Sequence, residues 1–403
     1  MQSSPDAVPS ALRDNTTFQI VSTVLFTFLC YLTIGLPIAV LPSYVHLDLG
    51  YTPVWAGLAI SMQYLATFAS RPFAGRMADT VGAKPTVLAG LLACALSGVM
   101  MAVAGWLRHN PEWSLASLLF GRLCLGTGES LAATGSIMWA IGRVGDQHAT
   151  RVLSMNGVAS YGALALGAPL GVLIDGAGGF SAIGLVVLLL GAVGALLAFL
   201  RAPVAIVHGP RLAFRAVFML VLPHGLCQAL GSIGFGVISA FITLYYVGQH
   251  WAGAALALTA FGSAFVVIRL IFGGAIHRYG GFRVAIVSFL LETAGLLLIW
   301  QAPSPHAALL GAALAGGGFS LVFPALAREA VGGVAPANRG AALGAYSVFL
   351  DLALWVSGPL AGMVAASYGY AAVFLFAALA ALVAMGLSAR LYMKSRMTLT
   401  VGD

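Results

Sequence analysis

Residues 75 to 84 read Gly75-Arg-Met-Ala-Asp79-Thr-Val-Gly82-Ala-Lys84, a polar loop between two long apolar spans, and a worn copy, Gly273-Gly-Ala-Ile-His277-Arg-Tyr-Gly280-Gly-Phe, returns at 273 to 282. Each copy follows Arg-x-x-x-Gly, from Arg71 to Gly75 and from Arg269 to Gly273. The offset is constant, since 277 minus 79 and 280 minus 82 both give 198. The chain is therefore one membrane half, duplicated. Glycines suit such a loop because a tight turn between antiparallel helices needs positive φ or close backbone approach.

Composition points the same way. Sixty per cent of residues are hydrophobic and 8% are charged, against roughly a quarter charged in an ordinary soluble chain. A bilayer core about 30 Å thick needs about 20 apolar residues at helical rise, and twelve such runs are present. They cover 18–44, 54–76, 84–106, 114–142, 149–174 and 180–200, then 213–247, 252–277, 283–301, 306–333, 340–367 and 371–392. None shows the short alternation of a barrel strand, and backbone hydrogen bonding in lipid leaves helices as the alternative. The expected fold class is all-α, with twelve transmembrane helices in two pseudo-symmetric six-helix bundles, 18–201 and 213–392. The remainder reads as an N-terminal tail 1–17, a central loop 202–212 and a C-terminal tail 393–403.

Basic residues orient the chain. Fifteen, among them Arg13, Arg76, Lys84, Arg143, Arg211, Arg278 and Arg396, fall on the side that holds both termini, while the opposite loops hold only Arg108. Retention of basic residues in the cytoplasm predicts cytoplasmic termini. The net charge of +7 is then topology, not a nucleic-acid surface. The polar N-terminal tail leads into a run too long for a signal peptide and reads as uncleaved. Cys30, Cys94, Cys124 and Cys227 all lie in apolar spans, where a thiol behaves as a small hydrophobe, so neither a disulfide nor a metal site is implied. No phosphate-binding loop, zinc spacing or nucleophile elbow is present, which argues against an enzyme, an organic cofactor and a hydrolysis-driven motor.

Twelve helices in two halves, with Gly75-x-x-x-Asp79-x-x-Gly82-x-Lys84 between spans 2 and 3, resemble the major facilitator superfamily of secondary transporters, in its bacterial efflux-permease-like branch. Thr80 and Ala83 stand where the family pattern usually has basic residues. The resemblance implies that Gly75, Asp79, Gly82 and Lys84 form a conformational gate, with Asp79 latching onto the start of helix 11 near Asn338 to Gly340. A carboxylate is favoured at a helix N-terminus by about 0.3–1 kcal/mol; the plainer reading is a loop charge that only orients the turn. Gly273, His277 and Gly280 are the second-half counterpart, and a neutral imidazole does not supply the constant charge of Asp79. Gly162, Gly167, Pro169 and Gly171 resemble the helix 5 glycine-proline motif of proton-exchanging exporters, although Ala168 stands where a glycine is usual. A kinked helix with a small-residue packing face explains the same residues. The register recurs at Ser357-Gly358-Pro359-Leu360-Ala361-Gly362, offset by 190.

Ionisable residues inside a bilayer are costly and rarely without a role. Four are singled out: Arg122, Glu129, Glu292 and Asp351. Arg122 and Glu129 share a face of span 4, in a family whose helices 1, 4, 7 and 10 line the cavity. Their α-carbons are about 10.5 Å apart at this spacing, so each is expected to find another partner. Glu129 is the expected proton carrier, Asp351 the second carboxylate, pairing with Arg122 or with substrate, and Arg122 the organiser. A buried charge pair that only ties helices together is the alternative. At offset 190 Glu129 faces Phe319 and Asp351 faces Tyr161, so neither acid is imposed by the duplication. Glu292 on span 9 is expected to be structural. Tyr31, Gln63, Tyr64, Trp139 and Gln228 are possible substrate contacts, and His46, His224 and His306 are expected near helix ends.

The combined expectation is a monomeric, multi-pass transporter of a bacterial inner membrane that works by alternating access. It would export a small organic solute (a drug, sugar or metabolite) in exchange for protons, with the proton gradient as energy source and no cofactor. Uptake or facilitated diffusion of a metabolite, and a non-transporting receptor, are the alternatives.

Overall fold

The computed structural model describes residues 10–204, 214–332 and 339–400. Residues 1–9 of the expected N-terminal tail, most of the central loop and Asn338 of the expected latch lie outside the described residues. The apolar runs form α1 (Ser10–Ile38), α2 (Pro53–Thr80), α3 (Ala83–Trp106) and α4 (Pro111–Val144). The helical stretch Ala149–Phe199 breaks at Gly179, where φ is 71°, into α5 over 149–178 and α6 over 180–199. In the second half come α7 (Phe214–Gly248), α8 (Ala254–Phe272), α9 (Gly281–Trp300), α10 (Pro305–Gly332), α11 (Arg339–Tyr368) and α12 (Tyr370–Thr400). Proline opens α2, α4 and α10, where its missing N–H leaves no helical bond unmade.

The boundaries correct the sequence expectation in three places. Residues 75–80 are not loop but the last turns of α2. Gly82 (φ 110°) and Gly280 (φ 85°) make the turns, whereas Gly75 lies within α2 and Gly273 caps the end of α8. In the second copy the adjacent pair Gly273-Gly274 ends α8, and a separate short helix Ala275–Tyr279 follows; the first copy has a single glycine followed by Arg-Met-Ala, all good helix formers. Span 1 stops at Ile38, and the chain continues through a short helix Leu41–Ser43 and a π-turn Tyr44–Asp48, because Pro42 cannot donate to the helical ladder. His224 is not at a helix end. It lies within α7, with its ring centroid 5.7 Å from that of Phe282.

Among the described residues, nine helical segments are long and apolar enough to cross a membrane, and Arg151–Phe199 is long enough to do so twice. The two that fall short in apolar character are α2 and α4. They are the helices that hold Gln63, Thr67, Arg71, Arg122 and Glu129.

Within each half the helices pack on one another through small residues. Gly90 of α3 and Gly128 of α4 face each other so closely that a Cβ on Gly128 would stand 2.7 Å from the Gly90 carbonyl oxygen. Two helix pairs, α2 with α11 and α5 with α8, provide the main contact between the halves. Both are tight on the face away from the chain ends. A Cβ on Gly57 of α2 or Gly358 of α11 would overlap the backbone of the other, and one on Gly362 would stand 2.7 Å from Val54 Cα. Across α5 and α8, a Cβ on Gly262 would stand 2.8 Å from the Tyr161 carbonyl oxygen. On this face, two hydrogen bonds among the described residues reinforce the contacts: Ser61 Oγ donates to Leu354 O at 3.1 Å, and Thr259 Oγ1 to Ala165 O at 2.9 Å. Toward the chain ends the same α2–α11 pair loosens, since a Cβ on Gly75 or Gly344 would meet nothing within 4 Å. The α2–α11 seam is thus close-packed on one face and opens toward the other.

Candidate functional site

Glu129 sits midway along α4, 4% exposed. Gly126, one turn earlier, lets α4 press against α2, because a Cβ there would overlap the Gln63 carbonyl. That approach brings three donors to the carboxylate. Tyr31 Oη of α1 donates to Oε1 at 2.9 Å, while Gln63 Nε2 and Thr67 Oγ1 of α2 donate to Oε2 at 2.7 and 3.1 Å. All three donors are neutral, and none is a cation. The Gln63 Oε1 atom on the same amide is buried without a partner.

Asp351, 2% exposed on α11, does not meet Arg122. Its carboxylate is held by Arg71 of α2, through Nε to Oδ2 and through Nη2 to Oδ1 at 2.9 Å. The fork-on-carboxylate geometry is the strong form of a charge-assisted hydrogen bond. This ion pair joins the two halves. Among the described residues it is the only salt bridge. Arg71 stands one helical turn beyond Thr67 on α2, so the carboxylate on α4 and the bridge are held by successive turns of the same helix.

Arg122 takes a different place. Its Nε donates to Ala59 O at 3.0 Å and its Nη2 to Ile60 O at 3.3 Å, and its Nη1 is buried without a partner. It braces α4 against α2 through backbone carbonyls. Gln228 donates to Ser232 at 3.0 Å and accepts from Tyr346 at 3.0 Å, which ties α7 to α11. Trp139 is fully buried and stacks on Phe26 with centroids 5.4 Å apart. Tyr64 is buried in α2. Glu292 on α9 is 1% exposed, and neither carboxylate oxygen has a hydrogen-bond partner. Of the expected substrate contacts, only Tyr31 and Gln63 join the Glu129 cluster.

The glycine-proline residues of α5 show a packing role. A Cβ on Gly167 would stand 2.8 Å from Gly35 Cα of α1, and one on Gly171 would overlap the Leu36 carbonyl. Gly162 instead faces Val266 of α8 at 3.9 Å. In the gate motif, Lys84 Nζ donates to Phe199 O at 2.7 Å, pinning the start of α3 to the end of α6.

Arg71 and Arg269 were not among the four intramembrane charges singled out from sequence, although the spans 54–76 and 252–277 enclose both. Thr67 was also missed; its signal is the four-residue spacing from Gln63, which puts both on one face of α2.

An all-helical, multi-pass membrane bundle, with a buried acid cluster and an ion pair that joins two halves, has the construction of a membrane transporter. The sequence pattern of the Major Facilitator Superfamily fits residues 23–222 and 224–399, and the chain belongs to that family, whose members are transporters rather than enzymes. It is 57% identical over 392 residues to an uncharacterised MFS-type transporter of Burkholderia mallei strain SAVP1, covering 97% of this chain and 96% of that one. An uncharacterised MFS-type transporter of Pseudomonas aeruginosa strain LESB58 is 54% identical over 396 residues, covering 97% of each. Among solved structures, the D-xylose-proton symporter superposes with a TM-score of 0.75 at 14% identity, over 94% of this chain and 97% of the other. The human organic anion transporter MFSD10 gives 0.71 at 18%, over 93% and 99%. At these identities the likeness is one of fold.

Proposed function

We propose that this protein is a proton-coupled secondary transporter that exports a small organic solute by alternating access, from a bacterial inner membrane with both chain ends in the cytoplasm. The observation that carries the reading is the Glu129 cluster beside the Arg71–Asp351 bridge. An ionised Glu129 accepts from three neutral donors. A protonated one must itself donate, and Gln63 Oε1, buried without a partner, becomes its acceptor when the amide turns over. Thr67, whose hydroxyl donates to the same Oε2, then faces a protonated oxygen, while Tyr31 keeps Oε1 as its acceptor, so the contacts that hold α2 to α4 change with the proton. Discharge of Glu129 also removes a negative charge from the surroundings of Arg71, leaving Asp351 as the sole carboxylate for that guanidinium. Proton occupancy is thereby coupled to the bridge between the halves, which is what exchange requires.

The test is proton movement in proteoliposomes bearing a fluorescent pH reporter, challenged in turn with a panel of drugs, sugars and metabolites. Glu129→Gln, similar in size and permanently neutral, is expected to fold and to abolish solute-dependent proton movement. Wild-type-like proton movement in that variant removes Glu129 as carrier. A solute that is moved without any pH change removes the coupling.

A further inference from the structure

The duplication pairs Arg71 with Arg269 and Asp351 with Tyr161, by the offsets 198 and 190. On the α2–α11 side the arginine has its acid. On the α8–α5 side it has none. Arg269 donates through Nη2 to the Ser320 carbonyl and through Nε to the Ser320 hydroxyl at 3.5 Å, both on α10. Its guanidinium carbon lies 4.9 Å from the centre of the Phe265 ring. Its Nη1 has no hydrogen-bond partner, and no carboxylate of the described residues stands within salt-bridge distance.

The guanidinium also reaches the other half. Arg269 Cζ and Nη1 would stand 3.8 Å from a Cβ on Gly157 of α5, one turn before Tyr161. Where the first pair places a carboxylate, this pair places a glycine and a phenol. Tyr161 stacks on Phe265 with centroids 3.7 Å apart, and behind them pack Phe235, Phe261 and Phe319. Arg269, Gly157 and Tyr161 are each partly exposed, on the side of the tight α5–α8 contact that faces the chain ends.

We propose that Arg269 is a substrate-binding residue, and that the solute carried between the halves is an organic anion bearing a carboxylate or phosphonate-type group on an apolar or aromatic body. The proposal rests on reading the parted space between the halves as the solute path. A partly exposed guanidinium with an unused N–H is suited to a planar, two-oxygen anion, and a counter-charge is what an isolated cation inside a membrane protein lacks. The glycine at 157 leaves room for the anionic group, and the Tyr161 ring offers a flat surface to the body attached to it. Asp351 fills the corresponding space on the other side, so one half of the interface is self-neutralised and the other awaits its charge from the solute.

The experiment is isothermal titration of the full chain in phosphatidylcholine nanodiscs with benzoate and with phenylphosphonate, using benzamide as neutral control. Saturable binding of at least one anion is expected, with no binding of benzamide. Arg269→Gln should weaken it about tenfold or more, the scale of one lost bidentate charge-assisted contact, while Arg269→Lys falls between. Tyr161→Asp supplies the missing carboxylate and should abolish anion binding with Arg269 still in place, which separates the proposal from a folding defect. Equal binding in wild type and Arg269→Gln, or no binding of either anion, overturns it. Loss of binding when phosphatidylglycerol is added to the discs assigns the site to a lipid head group and also overturns it. If no anion binds while Glu129→Gln still abolishes proton movement, the anion inference fails alone; if an anion binds and no protons move, the coupling fails alone.

Discussion

Breaking the Arg71–Asp351 bridge from either end should give unequal penalties. Removal of one partner of a buried ion pair costs about 3–5 kcal/mol, because the other charge is left uncompensated. The two ends differ in what is left behind. Side-chain exposure is 26% for Arg71 and 3% for Asp351. Arg71→Gln leaves a carboxylate with almost no access to water, and the full figure of about 3–5 kcal/mol applies. Asp351→Asn leaves a guanidinium that water reaches, reducing the penalty to about 1–2 kcal/mol. For a chain larger than the domains on which the scaling rests, each kcal/mol moves the melting temperature by about 1–2 °C. The expected falls are therefore about 5 °C for Arg71→Gln and about 2 °C for Asp351→Asn, read by tryptophan fluorescence in detergent. The double variant removes both charges and should melt above Arg71→Gln. A larger fall for Asp351→Asn, or a double variant whose fall is the sum of the two singles, would show that the pair is not coupled as its geometry implies.

Three further outcomes follow from the site and the seam. Tyr31→Phe removes one of three donors to Glu129, a hydrogen bond to a charged group worth about 1.5 kcal/mol, and should slow proton movement in liposomes about tenfold. Gly358→Ala places a methyl against the Gly57 backbone and Ser61 Oγ, so the closed face is forced apart; cysteine-reactive labelling of Ser61→Cys should rise in that background, and unchanged labelling would show that the seam does not close there. Asp79→Asn should impair transport more than His277→Asn, since only the first copy of the motif carries an acid, and equal effects would sink the asymmetric gate.

The bundle was legible because lipid enforces it. A run of twenty apolar residues between glycine turns has one low-cost conformation, and the offset of 198 exposed the duplication without any contact being known. Glu129 and Asp351 were legible for the same reason, as charges in the wrong solvent. Their partners were not. Asp351 was matched with Arg122, the one arginine counted among the four intramembrane charges, yet Arg122 is taken up by the carbonyls of Ala59 and Ile60. Arg71 reaches Asp351 from a position that looks like the edge of a polar motif, because α2 runs on to Thr80 and so carries it deeper into the helix than a loop beginning at Gly75 would allow. Helix pairing across a seam depends on which glycines face each other. Spacing along one chain does not contain that information.

The contact between Gly57, Gly358 and Gly362 has a consequence for how fast the protein can turn inside out. Backbone lies against backbone there, with the Ser61 hydroxyl and the Phe241 ring beside it, and two hydroxyl hydrogen bonds, at Ser61 and Thr259, are the only polar links among the described residues along that face. Each is worth about 1 kcal/mol net. Such a joint resembles a smooth bearing: strongly complementary in shape and weakly latched. Under the mechanism proposed above, control of the motion passes from the joint to the charges beyond it, the proton on Glu129 and the acid held by Arg71.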